Sequence, residues 1–138
     1  MRKLILALAV AVLPVLAVPQ ASVYSSWAIY HTPAAATQAT ISRAAAANTR
    51  HVATSVTVCL NAVAAQAAPV VFNLRDGATG AGTIKWSVSL VAPAGSAQCV
   101  TAPLSIPGST NTAMTLESAA APAASNFVTV AISGYDTY

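Results

Sequence analysis

Between Val70 and Val91 the chain reads VVFNLRDGATGAGTIKWSVSLV, two runs of alternating apolar residues around a glycine-rich centre. Val70, Phe72 and Leu74 share one phase, and Ile84, Trp86, Val88 and Leu90 share another. A repeat of two puts each set on one face of a strand, which predicts two β-strands joined by a surface loop. The alternation recurs elsewhere. Val52, Thr54, Val56, Val58 and Leu60 alternate with His51, Ala53, Ser55, Thr57 and Cys59, and Val128, Val130 and Ile132 alternate with Phe127, Thr129, Ala131 and Ser133.

Strands are expected near Ala39–Ser42, Val52–Ala62, Val70–Leu74, Thr83–Val91, Ala97–Ile106, Thr112–Ser118 and Asn126–Ser133, separated by breakers such as Pro69, Gly77, Gly82, Pro93, Gly95, Pro107 and Pro122. Strands and turns alternating every 10 to 15 residues or so are the rhythm of an all-β sandwich. The expected architecture over residues 38–138 is one antiparallel β-sandwich of about seven strands, immunoglobulin-like or jelly-roll-like. Ala44 to Ala47 favour a helix by propensity, but four residues cannot nucleate one alone, so they belong to a loop.

The first 21 residues follow a different pattern. Arg2 and Lys3 precede an apolar run from Leu4 to Val18, and small residues close the segment, which are the parts of a secretory signal peptide. As a helix the run would rise only about 22 Å, short of a hydrocarbon core of roughly 30 Å, so a stable membrane span is not expected. Pro19 disturbs the cleavage pattern and leaves Ala17 or Ala21 as imperfect sites; an uncleaved anchor or an assembly segment is the alternative. Residues 22–37 then read as an arm or linker, with Tyr24, Trp27 and Tyr30 recurring every third residue. Such rings can stack on a sugar or a partner surface, or simply cover an open edge of the domain.

Composition narrows the function classes. With 138 residues there is room for one domain, and 56% hydrophobic against 7% charged residues excludes a solvated disordered chain. Beyond the leader, Arg43, Arg50, Arg75 and Lys85 oppose Asp76, Glu117 and Asp136, a net of +1. Scattered charge of that size does not neutralise a run of phosphates, so direct nucleic-acid binding is not expected.

Catalytic motifs fail one at a time. Gly77 and Gly82 have the separation of a phosphate loop, yet Thr83 stands where the lysine is required and a strand follows where a helix N-terminus is needed. Arg75-Asp76-Gly77 reads as turn chemistry. His31 and His51 and the three carboxylates offer no acid/base pair by spacing, no serine sits in a Gly-x-Ser-x-Gly elbow, and the cysteines and histidines lack a zinc spacing. No enzyme activity, cofactor or metal is expected. Cys59 and Cys99 either form a disulfide that ties neighbouring strands or a covering loop, if the chain is exported, or stay as two small buried thiols. Phe127 and Tyr135 lie out of phase with the core-facing Val128, Val130 and Ile132 and are candidate interface residues.

Several segments carry a family resemblance. Ala39-Thr40-Ile41-Ser42-Arg43-Ala44-Ala45, Arg50-His51-Val52, Asn73 through Thr83 with Trp86-Ser87, Asn111 through Glu117, and Ser133-Gly134-Tyr135-Asp136 together resemble small β-rich proteins encoded in tailed-phage and prophage structural regions. The resemblance spans roughly residues 38–136 and brings no catalytic residue with it. It implies a virion-surface accessory or decoration protein whose partners are itself and capsid or tail proteins; the apolar leader departs from that pattern. The alternative from the residues alone is an exported bacterial β-sandwich, periplasmic or extracellular, that binds a surface ligand such as glycan through its loops and Tyr24, Trp27 and Tyr30.

Overall fold

The computed structural model describes residues 24–138, whose regular elements are all strands; the leader expected over residues 1–21 lies outside them. In chain order these are β1 (Ser25–His31), β2 (Thr40–Arg43), β3 (Arg50–Ala62), β4 (Val70–Asp76), β5 (Thr83–Leu90), β6 (Ser96–Pro107), β7 (Met114–Ser118) and β8 (Phe127–Thr137). One antiparallel sheet runs β1-β8-β3-β6 and the other β2-β7-β4-β5. First strand beside last, second beside seventh, third beside sixth and fourth beside fifth is a long hairpin rolled into two sheets, the order of a jelly roll. Of the two sandwich forms expected from sequence, this order selects the jelly roll over the immunoglobulin form.

The strand beyond the expected seven is β1. Residues 25–31, expected within an arm outside the domain, pair with β8 from Ser25 opposite Asp136 to His31 opposite Val130. Trp27 and Ile29 pack half-buried against the core while Ser26, Ala28 and Tyr30 face out, so the spacing of three that links Tyr24, Trp27 and Tyr30 conceals an ordinary alternation of two.

Between the sheets lie Val56, Val58 and Leu60 of β3, Phe72 and Leu74 of β4, Met114 and Leu116 of β7, and Val128, Val130 and Ile132 of β8, all essentially inaccessible to water. Each such side chain contributes on the order of 1.5–3 kcal/mol through burial. Two bulges break the phase expected from sequence. In β3 the register shifts between Ala53 and Ser55, making Thr54 an extra residue. Upstream of it the faces exchange: His51 and Ala53 pair with the core-facing Asp136 and Gly134, while Val52 pairs with the outward Tyr135. In the β4–β5 pair the shift between Leu74 and Arg75 leaves Ile84 opposite Arg75 and 48% exposed, not in the core with Trp86 and Val88 as expected.

Candidate functional site

The three carboxylates of the chain are all buried, and each is bound by groups distant in sequence. Asp136, on the inward phase of β8, accepts hydrogen bonds from Trp27 Nε1 (2.7 Å, to Oδ1) and Arg43 Nη2 (2.6 Å, to Oδ2). His51 Nδ1 lies 2.7 Å from Oδ1 of the same carboxylate, and its Nε2 lies 2.9 Å from the Ala44 carbonyl oxygen. The two neighbours of the imidazole, the Asp136 carboxylate and the Ala44 carbonyl, are both acceptors. Arg43 also stands 6.0 Å over the Trp27 ring. Burial raises the pKa of Asp136, but the hydrogen bonds from Arg43, His51 and Trp27 and the charge of Arg43 outweigh it, holding the carboxyl below its ordinary 3.8.

Asp76, expected in a turn, is the last residue of β4. It accepts from the Ser109 backbone amide and hydroxyl (both 2.8 Å), with Lys85 Nζ at 3.7 Å. Burial again raises its pKa, and the Ser109 bonds and Lys85 bring it net below 3.8. Glu117 Oε1 accepts from Arg75 Nε (2.5 Å), and Oε2 accepts from the Gly80 amide (2.9 Å). The glycine-rich loop is therefore cinched onto the β2-β7-β4-β5 sheet by a buried carboxylate, and its outer glycines are steric necessities. A Cβ at Gly82 would stand 2.3 Å from the Asp76 carbonyl oxygen, with φ at +79°.

These clusters tie loops to strands. Among the described residues no group of three or more His, Cys, Asp or Glu could hold a metal ion. His31 ends exposed on β1, far in role from His51. Sequence spacing gave no sign of the Asp136 cluster, because Trp27 and His51 lie 109 and 85 residues from it.

The other candidate residues converge on the outward face of the β1-β8-β3-β6 sheet. Phe127, Thr129, Ala131, Ser133 and Tyr135 of β8 share that face with Tyr24 and Tyr30 beside and on β1, and with Ser55, Thr57, Cys59 and Asn61 of β3. Phe127 is 37% exposed and Tyr30 81%. Tyr24 meets Tyr135 edge-on at 5.2 Å between ring centres. Trp27 leaves this group, since it points the other way into the Asp136 cluster; the three aromatic rings of the N-terminal segment do not form one platform. Cys59 and Cys99 face each other across β3 and β6 and are joined as a disulfide on the same outward face. A shallow groove of about 240 Å³ crosses the sheet between Tyr30 and Thr57, floored by Ala28, Ala131 and Ser133. From Ser55 to the end of β3, and along β6 and the outward positions of β1 and β8, the side chains carry no carboxylate, lysine or arginine.

No protein-family model matches the chain, and no curated protein matches it. Among solved structures, a chain from Bacillus endospore appendages, which form a family of disulfide-linked pili, is 21% identical over 84% of this chain and 88% of that one, with a TM-score of 0.34. What this protein does is read from its own residues.

Proposed function

We propose that the chain is a non-catalytic structural module that assembles on a particle or cell surface, and that its particular role is that of a virion accessory or decoration protein. The observation that carries this reading is the outward face of the β1-β8-β3-β6 sheet. It is broad, carries no lysine, arginine or carboxylate side chain from Ser55 to the end of β3 or along β1, β6 and the outward positions of β8, with Arg50 at one end opposite Thr137, and is grouped around Phe127, Tyr135, Tyr24 and Tyr30. Depletion of charge with enrichment of aromatics is the composition of a contact surface. The engagement of every carboxylate in a structural hydrogen-bond cluster supports the non-catalytic half of the reading. The Cys59–Cys99 disulfide supports a location outside the reducing cytoplasm, as at a virion or cell surface.

Glycan binding by an exported sandwich is the second reading, favoured by the exposed Tyr30 ring beside the Ser55 and Ser133 hydroxyls in the groove. The double substitution Phe127→Ser with Tyr135→Ser separates the two. Under the assembly reading the variant stays folded and loses association with itself or with particle components. A wild type that is monomeric, binds no particle component and takes up a soluble oligosaccharide through Tyr30 would replace the first reading by the second.

A further inference from the structure

The two sheets expose four edges, and three carry devices that oppose the addition of another strand. β6 contains Pro103 and Pro107, which have no amide hydrogen to offer. β5 carries Lys85 within the strand and a bulge against β4, and β2 is only four residues long with Arg43 at its end. β1 has none of these. Its sequence, Ser25-Ser26-Trp27-Ala28-Ile29-Tyr30-His31, contains no proline, glycine, lysine, arginine or carboxylate, and it runs for seven residues. Its backbone pairs with β8 on one side, and among the described residues nothing hydrogen-bonds its backbone on the other.

We propose that this edge pairs with the same edge of a second copy, antiparallel about a two-fold axis at Ala28, joining two four-stranded sheets into one of eight. The segment is complementary to itself in that register. Ala28 stands opposite Ala28 of the second copy, the small Ser26 opposite the large Tyr30, and Trp27 opposite Ile29, so each bulky outward ring meets a small residue and the inward pair is apolar. An isologous contact of this kind uses one patch twice and closes on itself. With only the terminal His31 able to carry charge, no like-charged pair arises within the seven residues to oppose it. The pairing also doubles the width of the charge-poor outward face. The choice of a second copy as occupant rests on the assembly reading above.

Ala28 is exposed on the outward face, so it can be changed without entering the core. The full chain is expected to sediment at twice its monomer mass. Ala28→Lys and Ala28→Glu should each be monomeric at concentrations where the wild type is dimeric, because each places like charges directly opposite one another, and mixing the two variants in equal amounts should restore the dimer. Ala28→Cys supplies a test that adds no bulk. Opposed Cα atoms in an antiparallel pair lie about 4.5–5.5 Å apart, within disulfide reach, so mild oxidation should give a covalent dimer, whereas Ile84→Cys on the β5 edge should not. A dimer that persists unchanged in both charged variants, with no cross-link through position 28, overturns the edge pairing and leaves the assembly reading standing. A wild type that is monomeric and binds no particle component overturns both.

Discussion

A methyl group added at Gly134 would stand 2.2 Å from the Val52 carbonyl oxygen and 2.6 Å from the Trp27 indole. The ring lies where a side chain at 134 would be, which lets Trp27 reach across to Asp136. Gly134→Ala must displace either the β3 backbone or the indole, and it is expected to cost about 2–3 kcal/mol, in the range of an overpacked core. Equilibrium unfolding in urea, with Trp27 fluorescence as a second probe of the displaced ring, measures this; an unchanged midpoint and spectrum would show that the ring position is not needed. Asp136 makes a further residue-scale prediction through acid stability. Its folded pKa is lowered relative to the unfolded chain, so its contribution is present above the unfolded value near 3.9 and is lost as the pH falls through the lower, folded value. Asp76, shifted the same way, adds to the same acid limb. Asp136→Asn should lower stability at neutral pH by about 3 kcal/mol, since it leaves Arg43 without its counter-charge and removes the carboxylate that Trp27 and His51 also contact, and should flatten the acid limb. A variant whose stability falls in parallel with the wild type between pH 5 and about pH 2 would show that the carboxylate is not what titrates.

At the scale of elements, the disulfide stands between β3 and the edge strand β6, not across the core. Its sequence separation of 40 corresponds to about 4 kcal/mol of restricted chain entropy. Cys59→Ser with Cys99→Ser should therefore lower stability by up to that amount, and amide exchange should rise first along β6, which has a ladder partner on one side only. Uniform acceleration across both sheets would assign the bridge to global stability alone. The elements also show why some of the fold was legible and some was not. β4, β7 and β8 sit where unbroken alternation or an apolar run marks them, because nothing interrupts their phase. β3 and β5 lie where the alternation predicts them but differ in phase: a bulge depends on the neighbouring strand, and one extra residue at Thr54 carries His51 from the expected outward set to the interior. β1 reads as an arm in the sequence because Trp27 and Ile29 are its only apolar inward residues, and they gain meaning only when β8 lies beside them. The outward Phe127 and Tyr135 could be read from phase alone, whereas the Asp136 cluster could not, since its members meet only after the roll closes.

For the whole molecule, the proposed export leader and the disulfide make one joint prediction about where the chain matures. A basic start and an apolar run too short to span a bilayer argue for export, and a disulfide between adjacent strands needs an oxidising compartment to form and persist. If export is the route, both events occur in one passage. When the full chain is produced in a bacterium with a working export system, intact-mass analysis of the recovered protein should show Arg2 and Lys3 removed and a remaining chain lighter by two hydrogens than its reduced form. Reduction should restore those two hydrogens, and export-deficient cells should accumulate the unprocessed chain. The two features separate cleanly in the other case. A virion component assembled before cell lysis would keep Arg2 and Lys3 in a soluble particle and acquire its disulfide only after release. Finding that mass would sink export and place the apolar segment among the contacts of the particle, while the processed, oxidised chain would make the charge-poor sheet face the surface that a mature extracellular protein presents to its partners.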